Sequence, residues 1–149
     1  MFDSSRRLKT AIEAVVYIAL NSATGPVHSR ELTRYQGIAP RYLEPVLQRL
    51  GRAGIVDGIR GPRGGYRLAR ERRRISVGEI VRTVLEVGDM APRPATGGVL
   101  GRTIVEPFWI GREEAFLTAL DKVSVDDLCR AAIEAGLAPS PDQPIDFAI

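Results

Sequence analysis

The feature that most constrains the fold is a change of hydrophobic period at Gly54. Upstream, Leu43, Val46, Leu47 and Leu50 fall on one face of a segment running from about Pro40 to Ala53, which predicts an amphipathic helix. Downstream, Ile55-Val56-Asp57-Gly58-Ile59-Arg60 and Tyr66-Arg67-Leu68 are short strand-like runs on either side of Gly61-Pro62-Arg63-Gly64-Gly65, whose residues favour a turn. The helix has a companion ahead of it. His28 or Ser29 caps a segment of about two turns that Gly37 closes, and Pro40 needs no amide donor in the first turn of the next helix. Two short helices joined by a tight Gly turn, then a hairpin, predict a helix-turn-helix with a β wing.

The flanking segments are helical in pattern. Leu8, Ala11, Ile12, Val15, Val16, Ala19 and Leu20 predict an amphipathic helix over residues 5–21, with Tyr17 and Ile18 lying off its stripe. An apolar face wider than one stripe suits packing against both a core and a partner subunit. Ser76-Val77-Gly78-Glu79 reads as a capping box opening a helix that buries Ile80, Val81, Val84 and Leu85. Gly88 to Arg102 has Pro and Gly clusters and no sustained period, so it reads as a loop. From about Val105 to Leu120, the spacing of Trp109, Phe116, Leu120 and then Val123 makes one stripe of a long helix. Ser124 and Asp127 start a last helix, which ends at Gly136 before a Pro-rich extended tail.

Charge is divided unevenly. The 149 residues carry a net +3, yet residues 1–75 hold 15 Lys+Arg against 6 Asp+Glu, and residues 76–149 hold 6 against 12. All but Lys9 of the N-terminal cations are Arg, whose planar fork suits phosphates and base edges; a solvated Arg-rich surface would carry the same charge. The run Arg70-Glu71-Arg72-Arg73-Arg74 follows the wing and is by default a solvated loop. One Cys and one His exclude an internal disulfide and a self-contained structural metal site. Cys129 reads as a buried apolar residue and His28 as a helix-entry surface residue, and no nucleophile–base pair suggests an enzyme. No apolar run approaches the ~20 residues that span a bilayer, and the N-terminus lacks a signal-peptide core, so a cytoplasmic protein is expected.

Four blocks in order, Tyr42 to Leu50, Gly54-Ile55-Val56, Arg60-Gly61-Pro62-Arg63-Gly64-Gly65-Tyr66 and Ile75-Ser76-Val77-Gly78-Glu79-Ile80, carry a family resemblance. Over most of residues 5–135 the chain resembles the Rrf2 family of bacterial winged-helix regulators. The resemblance implies a mainly α fold with a small β wing: a winged helix-turn-helix over residues 1–87 and a loop over 88–102 that matches the family's cluster-binding loop. Dimerisation helices over 103–136 and an extended tail over 137–149 complete it, the long helix crossing its symmetry mate through Trp109, Phe116 and Leu120.

The resemblance also implies a site. Arg41, Tyr42 and Glu44 match the positions that enter the major groove. Arg suits guanine O6/N7, Glu accepts from cytosine N4, and Tyr reaches a phosphate or stacks. Tyr42 packed in the core, or Glu44 as a plain surface residue, are the alternatives. Arg60 matches a minor-groove Arg of the wing; Arg63 departs from the Gly common at its place and adds a charge at the tip. Ser29, Arg49 and Arg67 are the expected DNA-backbone contacts. The implied partners are a palindromic double-stranded operator, a second copy of the chain, and a small-molecule or protein effector acting at the Gly/Pro loop or between the wing domain and the long helix. Well-known members hold an iron–sulfur cluster through cysteines in that loop. Here Gly88 to Arg102 has no Cys or His, and Glu106 stands where the usual cluster His would be, so no cofactor and no metal are expected. A DNA-binding repressor without a cluster is the expected function, and a winged-helix adaptor that has lost DNA binding is the alternative.

Overall fold

Helix α1 (Phe2–Leu20) is the spine of the structure, a computed structural model that describes residues 2–85 and 97–137. Its buried face differs from the expected stripe. Ala11, Ala14, Val15 and Ile18 are buried together with Tyr17 and Ala19, whereas Leu8, Ile12, Val16 and Leu20 are only partly covered. Tyr17 and Ile18 are therefore core residues. The small side chains at Ala11 and Ala14 let neighbouring helices approach closely, which turns that face inward.

A short 3₁₀ turn (Ser22–Thr24) leads to Val27, whose N–H and C=O both pair with Tyr66 of the wing, at 2.8 and 2.7 Å. Helix α2 (Ser29–Gln36) is capped by His28, whose Nδ1 accepts from the Arg30 N–H at 3.2 Å, and is closed by Gly37 at φ 64°. Helix α3 (Pro40–Arg52) buries Leu43, Val46, Leu47 and Leu50, the face its period predicts. Strands β1 (Val56–Ile59) and β2 (Gly65–Leu68) pair antiparallel, Val56 opposite Leu68 and Ile59 opposite Gly65. Two glycines close this hairpin onto the body. A Cβ on Gly64 would fall 2.2 Å from the Ile59 carbonyl oxygen, and one on Gly65, at φ +151°, would fall 2.5 Å from that of Val27.

After a 3₁₀ turn (Arg72–Arg74), helix α4 (Val77–Leu85) buries Ile80, Val81 and Val84. Only half of its expected capping box forms. Ser76 Oγ accepts from the Glu79 N–H at 3.0 Å, but the Glu79 carboxylate turns to Arg70, which lies against the same helix end. Gly78 is where α4 meets the following helix: a Cβ there would lie 1.9 Å from Asp121 Oδ1.

The segment expected as a loop to Arg102 is already helical from Val99, passing through a π-helical turn (Gly101–Val105) into α5 (Glu106–Asp121). Residues 88–96 of that expected loop, and the tail from residue 138, lie outside the described residues. Helix α6 (Val125–Glu134) carries the reciprocal capping box: Ser124 Oγ accepts from the Asp127 N–H at 3.0 Å, and the Asp127 carboxylate accepts from the Ser124 N–H at 2.8 Å. It folds back onto α1, held at its start by a 2.8 Å bond from the Val125 N–H to the Ile75 carbonyl. Among the described residues, six α-helices and a two-stranded wing make the mainly α, winged-helix architecture that the sequence predicts. Among the described residues, no helix is long and apolar enough to cross a membrane.

Candidate nucleic-acid interface

The first turn of α3 presents the expected recognition residues. Leu43 is fully buried and anchors the turn, which leaves Arg41, Tyr42 and Glu44 on the solvent side. Tyr42 is 61% exposed, so it is not a core residue. Its partner is Arg41, whose guanidinium carbon lies 5.0 Å from the ring centroid and whose Nη2 donates to the phenol oxygen at 3.2 Å.

Arg60 and Arg63 are exposed on the wing turn, where Gly61 at φ 109° supplies a left-handed step. The Val27–Tyr66 bridge holds this turn against the start of α2. Between them runs a crease of about 320 Å³ lined by His28, Ser29, Arg60, Gly61 and Tyr66, which brings half-buried Ser29 next to the wing arginine. Arg67 is exposed and sits 3.9 Å from Asp57, its cross-strand neighbour.

Arg49 is half-buried and has a partner within the chain. Its Nη1 donates to the Val84 carbonyl at 2.6 Å, which ties α3 to α4. The basic run after the wing is also engaged within the protein. Arg70 donates to the carbonyls of Gly54 and Arg74, each at 3.2 Å, and pairs with Glu79. Arg72 and Arg73 reach the buried carboxylate of Asp126 at 2.7 and 3.8 Å, beside Arg130 at 3.3 Å. Helix α2 adds two cations to this surface. Arg30 and Arg34 are exposed on α2, and their four-residue spacing, visible in the sequence, puts them on one face. Among the described residues, Arg30, Arg34, Arg41, Arg60 and Arg63 are exposed arginines of the N-terminal half without a carboxylate partner.

Helix α5 has no buried residue. Phe108, Trp109, Ile110 and Phe116 are exposed, Leu120 is half-buried, and the helix packs chiefly on α4. The expected stripe of Trp109, Phe116 and Leu120 is present, but in a single chain much of it faces solvent. A cleft of about 370 Å³ lies between α1 and α6, lined by Ile12, Val16, Leu128, Ala132 and Tyr35.

A family model described as "Iron-dependent Transcriptional regulator" matches residues 4–131. The chain belongs to the Rrf2 family. It is 34% identical over 120 residues to the HTH-type transcriptional regulator IscR of Klebsiella pneumoniae, covering 79% of this chain and 74% of that protein. It is 32% identical, with the same coverage, to the IscR of Escherichia coli O1:K1. Among solved structures, T. potens IscR superposes with a TM-score of 0.69 at 28% identity, covering 90% of each chain. The Bacillus subtilis global cysteine regulator CymR shares the fold, with a TM-score of 0.65 at 24% identity over 84% of this chain and 94% of that one. Membership makes the chain a DNA-binding transcriptional regulator and not an enzyme.

An iron–sulfur cluster does not fit the donor set of this Rrf2 protein. Cys129 is the single thiol in the sequence, and it lies fully buried in α6, where burial pushes its pKa up and away from the thiolate a cluster needs. The single His caps α2, in the crease beside the wing. Among the described residues, no three His, Cys, Asp or Glu side chains are grouped to hold a metal ion.

Proposed function

We propose that this protein is a homodimeric repressor that binds an imperfect palindrome and works without an iron–sulfur cluster. The observation that carries the proposal is the exposed first turn of α3, with Arg41, Tyr42 and Glu44 free of the core, on the same domain as an exposed wing bearing Arg60 and Arg63. In this scheme α3 enters the major groove by its N-terminal end, and Arg60 and Arg63 meet the adjacent minor groove and backbone. Ser29, Arg49, Arg67, Arg30 and Arg34 are the proposed phosphate contacts, Arg49 through the donors that its bond to Val84 leaves free. The exposed apolar side chains of α5 support a partner helix from a second copy, because a face of this size is not normally left to solvent. Two-fold pairing then sets two recognition helices about one helical turn apart, ~34 Å, which a palindrome matches. Repression is the simplest output of such a dimer, since occupancy alone excludes other proteins from the site.

A salt titration against a selected operator tests the proposal. Log affinity should fall steeply and linearly with log salt, with a preference for the operator over unrelated duplex. Losing Arg60 to Ala should weaken operator binding. A flat salt dependence with no sequence preference would instead favour the adaptor, and a brown protein from anaerobic purification would refute the clusterless assignment.

A further inference from the structure

We infer that Arg41 and Tyr42 form a preassembled reading unit, in which Tyr42 is a positioning residue that aims the Arg41 guanidinium at a guanine edge. The inference rests on the DNA-binding function proposed above and assigns the two residues different roles. A solvent-exposed arginine ordinarily samples many rotamers, and ordering it opposes binding. Here the guanidinium lies 5.0 Å from the Tyr42 ring centroid, and Nη2 donates to the phenol oxygen at 3.2 Å. Two contacts of different kinds, one to the ring and one to the hydroxyl, hold the long side chain by its tip.

The hydrogen-bond inventory decides what is left to present. Arg has five N–H donors and this pairing uses one, so donors remain for a bidentate pair to O6 and N7 of guanine. Because the Tyr42 oxygen accepts from Arg41, its own O–H proton points away from the guanidinium and is available to an acceptor on DNA. The unit therefore presents donors only, which fits the acceptor-rich major-groove edge of guanine and not an edge that places an amino donor there. Leu43, fully buried, and Pro40, fixed in φ at the helix start, keep the turn carrying both residues rigid.

The test is a double-mutant cycle on the full-length protein with a duplex selected from a randomised pool. The wild type should select a guanine in each half-site and discriminate against adenine there by about tenfold to a hundredfold. Arg41→Lys keeps the charge but loses the planar fork that Tyr42 holds, and should weaken that discrimination. Tyr42→Phe keeps the ring but removes the hydroxyl, and should reduce the discrimination several-fold in the wild-type background and not at all in the Arg41→Lys background. If Tyr42→Phe costs the same in both backgrounds, Tyr42 contacts DNA independently and the unit does not exist. If Arg41→Lys keeps the full guanine preference, the assignment of Arg41 is wrong although the protein still reads DNA. A wild type that selects no sequence would refute the function itself.

Discussion

Replacing Gly65 with Ala should detach the wing from the body of the protein. Gly65 sits at φ +151°, a conformation that L residues rarely adopt, and a Cβ there would lie 2.5 Å from the Val27 carbonyl oxygen and 2.6 Å from its carbon. Backbone strain of that kind costs about 1–3 kcal/mol. The collision falls on Val27, whose two hydrogen bonds to Tyr66 at 2.8 and 2.7 Å hold the hairpin against the start of α2. Losing both removes about 1 kcal/mol each. The expected cost is about 3–5 kcal/mol, a large part of the roughly 5–15 kcal/mol that a domain of this kind has. With a urea slope of about 2 kcal/mol per molar, the unfolding midpoint should fall by about 1.5–2.5 M. Hydrogen exchange locates the damage: the Val27 and Tyr66 amides should lose protection first. The control is Gly51→Ala, in α3, where a Cβ would meet only the Val56 carbonyl oxygen at 3.8 Å. That variant should match the wild type or gain up to about 1 kcal/mol from better helix propensity. A Gly65→Ala protein with an unchanged midpoint and a protected Tyr66 amide would refute this account of how the wing is held.

Two further outcomes follow from ionisable groups. Hydrogen bonds from the Ser124 backbone and side chain, with Arg130 beside them, hold the Asp127 carboxyl below its usual range. A group whose pKa is lower in the native state stabilises fully above its unfolded value, about 4, and loses that contribution as pH falls through the native value. Asp127→Asn should therefore flatten the fall of the melting temperature on acidification, and parallel wild-type and variant curves would contradict the capping role. For Cys129, burial is the leading cause that raises its pKa, so a disulfide reagent at mildly alkaline pH should not label native protein but should label it once urea unfolds it. Fast labelling of the native state would show that the thiol is open to solvent.

The elements of this protein are legible in the sequence because their signals are local. Gly37 and Pro40 punctuate two helices within a few residues, the period of Leu43, Val46, Leu47 and Leu50 marks one buried face, and Ser124 and Asp127 cap a helix across three positions. Each depends on neighbours in the chain. The exposure of Tyr42 and Arg41 follows the same logic, since both lie off the stripe of Leu43, Val46, Leu47 and Leu50. The miss on α1 arose where local pattern is ambiguous: a helix apolar on more than one face gives no internal reason to prefer Ile18 over Ile12, and only the elements packed on it choose.

The sequence by itself determined that a helix-turn-helix and a glycine-closed wing stand in the basic half, and that one thiol is too few for a cluster. The tertiary structure decided which arginines are engaged within the chain. Arg49 is held by the carbonyl of Val84, and Arg72 and Arg73 by the buried Asp126, whereas Arg41, Arg60 and Arg63 have no carboxylate partner among the described residues. Spacing along the chain does not contain that division, because the acceptors come from helices far away in sequence and become neighbours only when the core forms. The same holds for Gly65 against Val27 and Gly78 against Asp121, where the need for glycine is a matter of how closely two distant backbones approach.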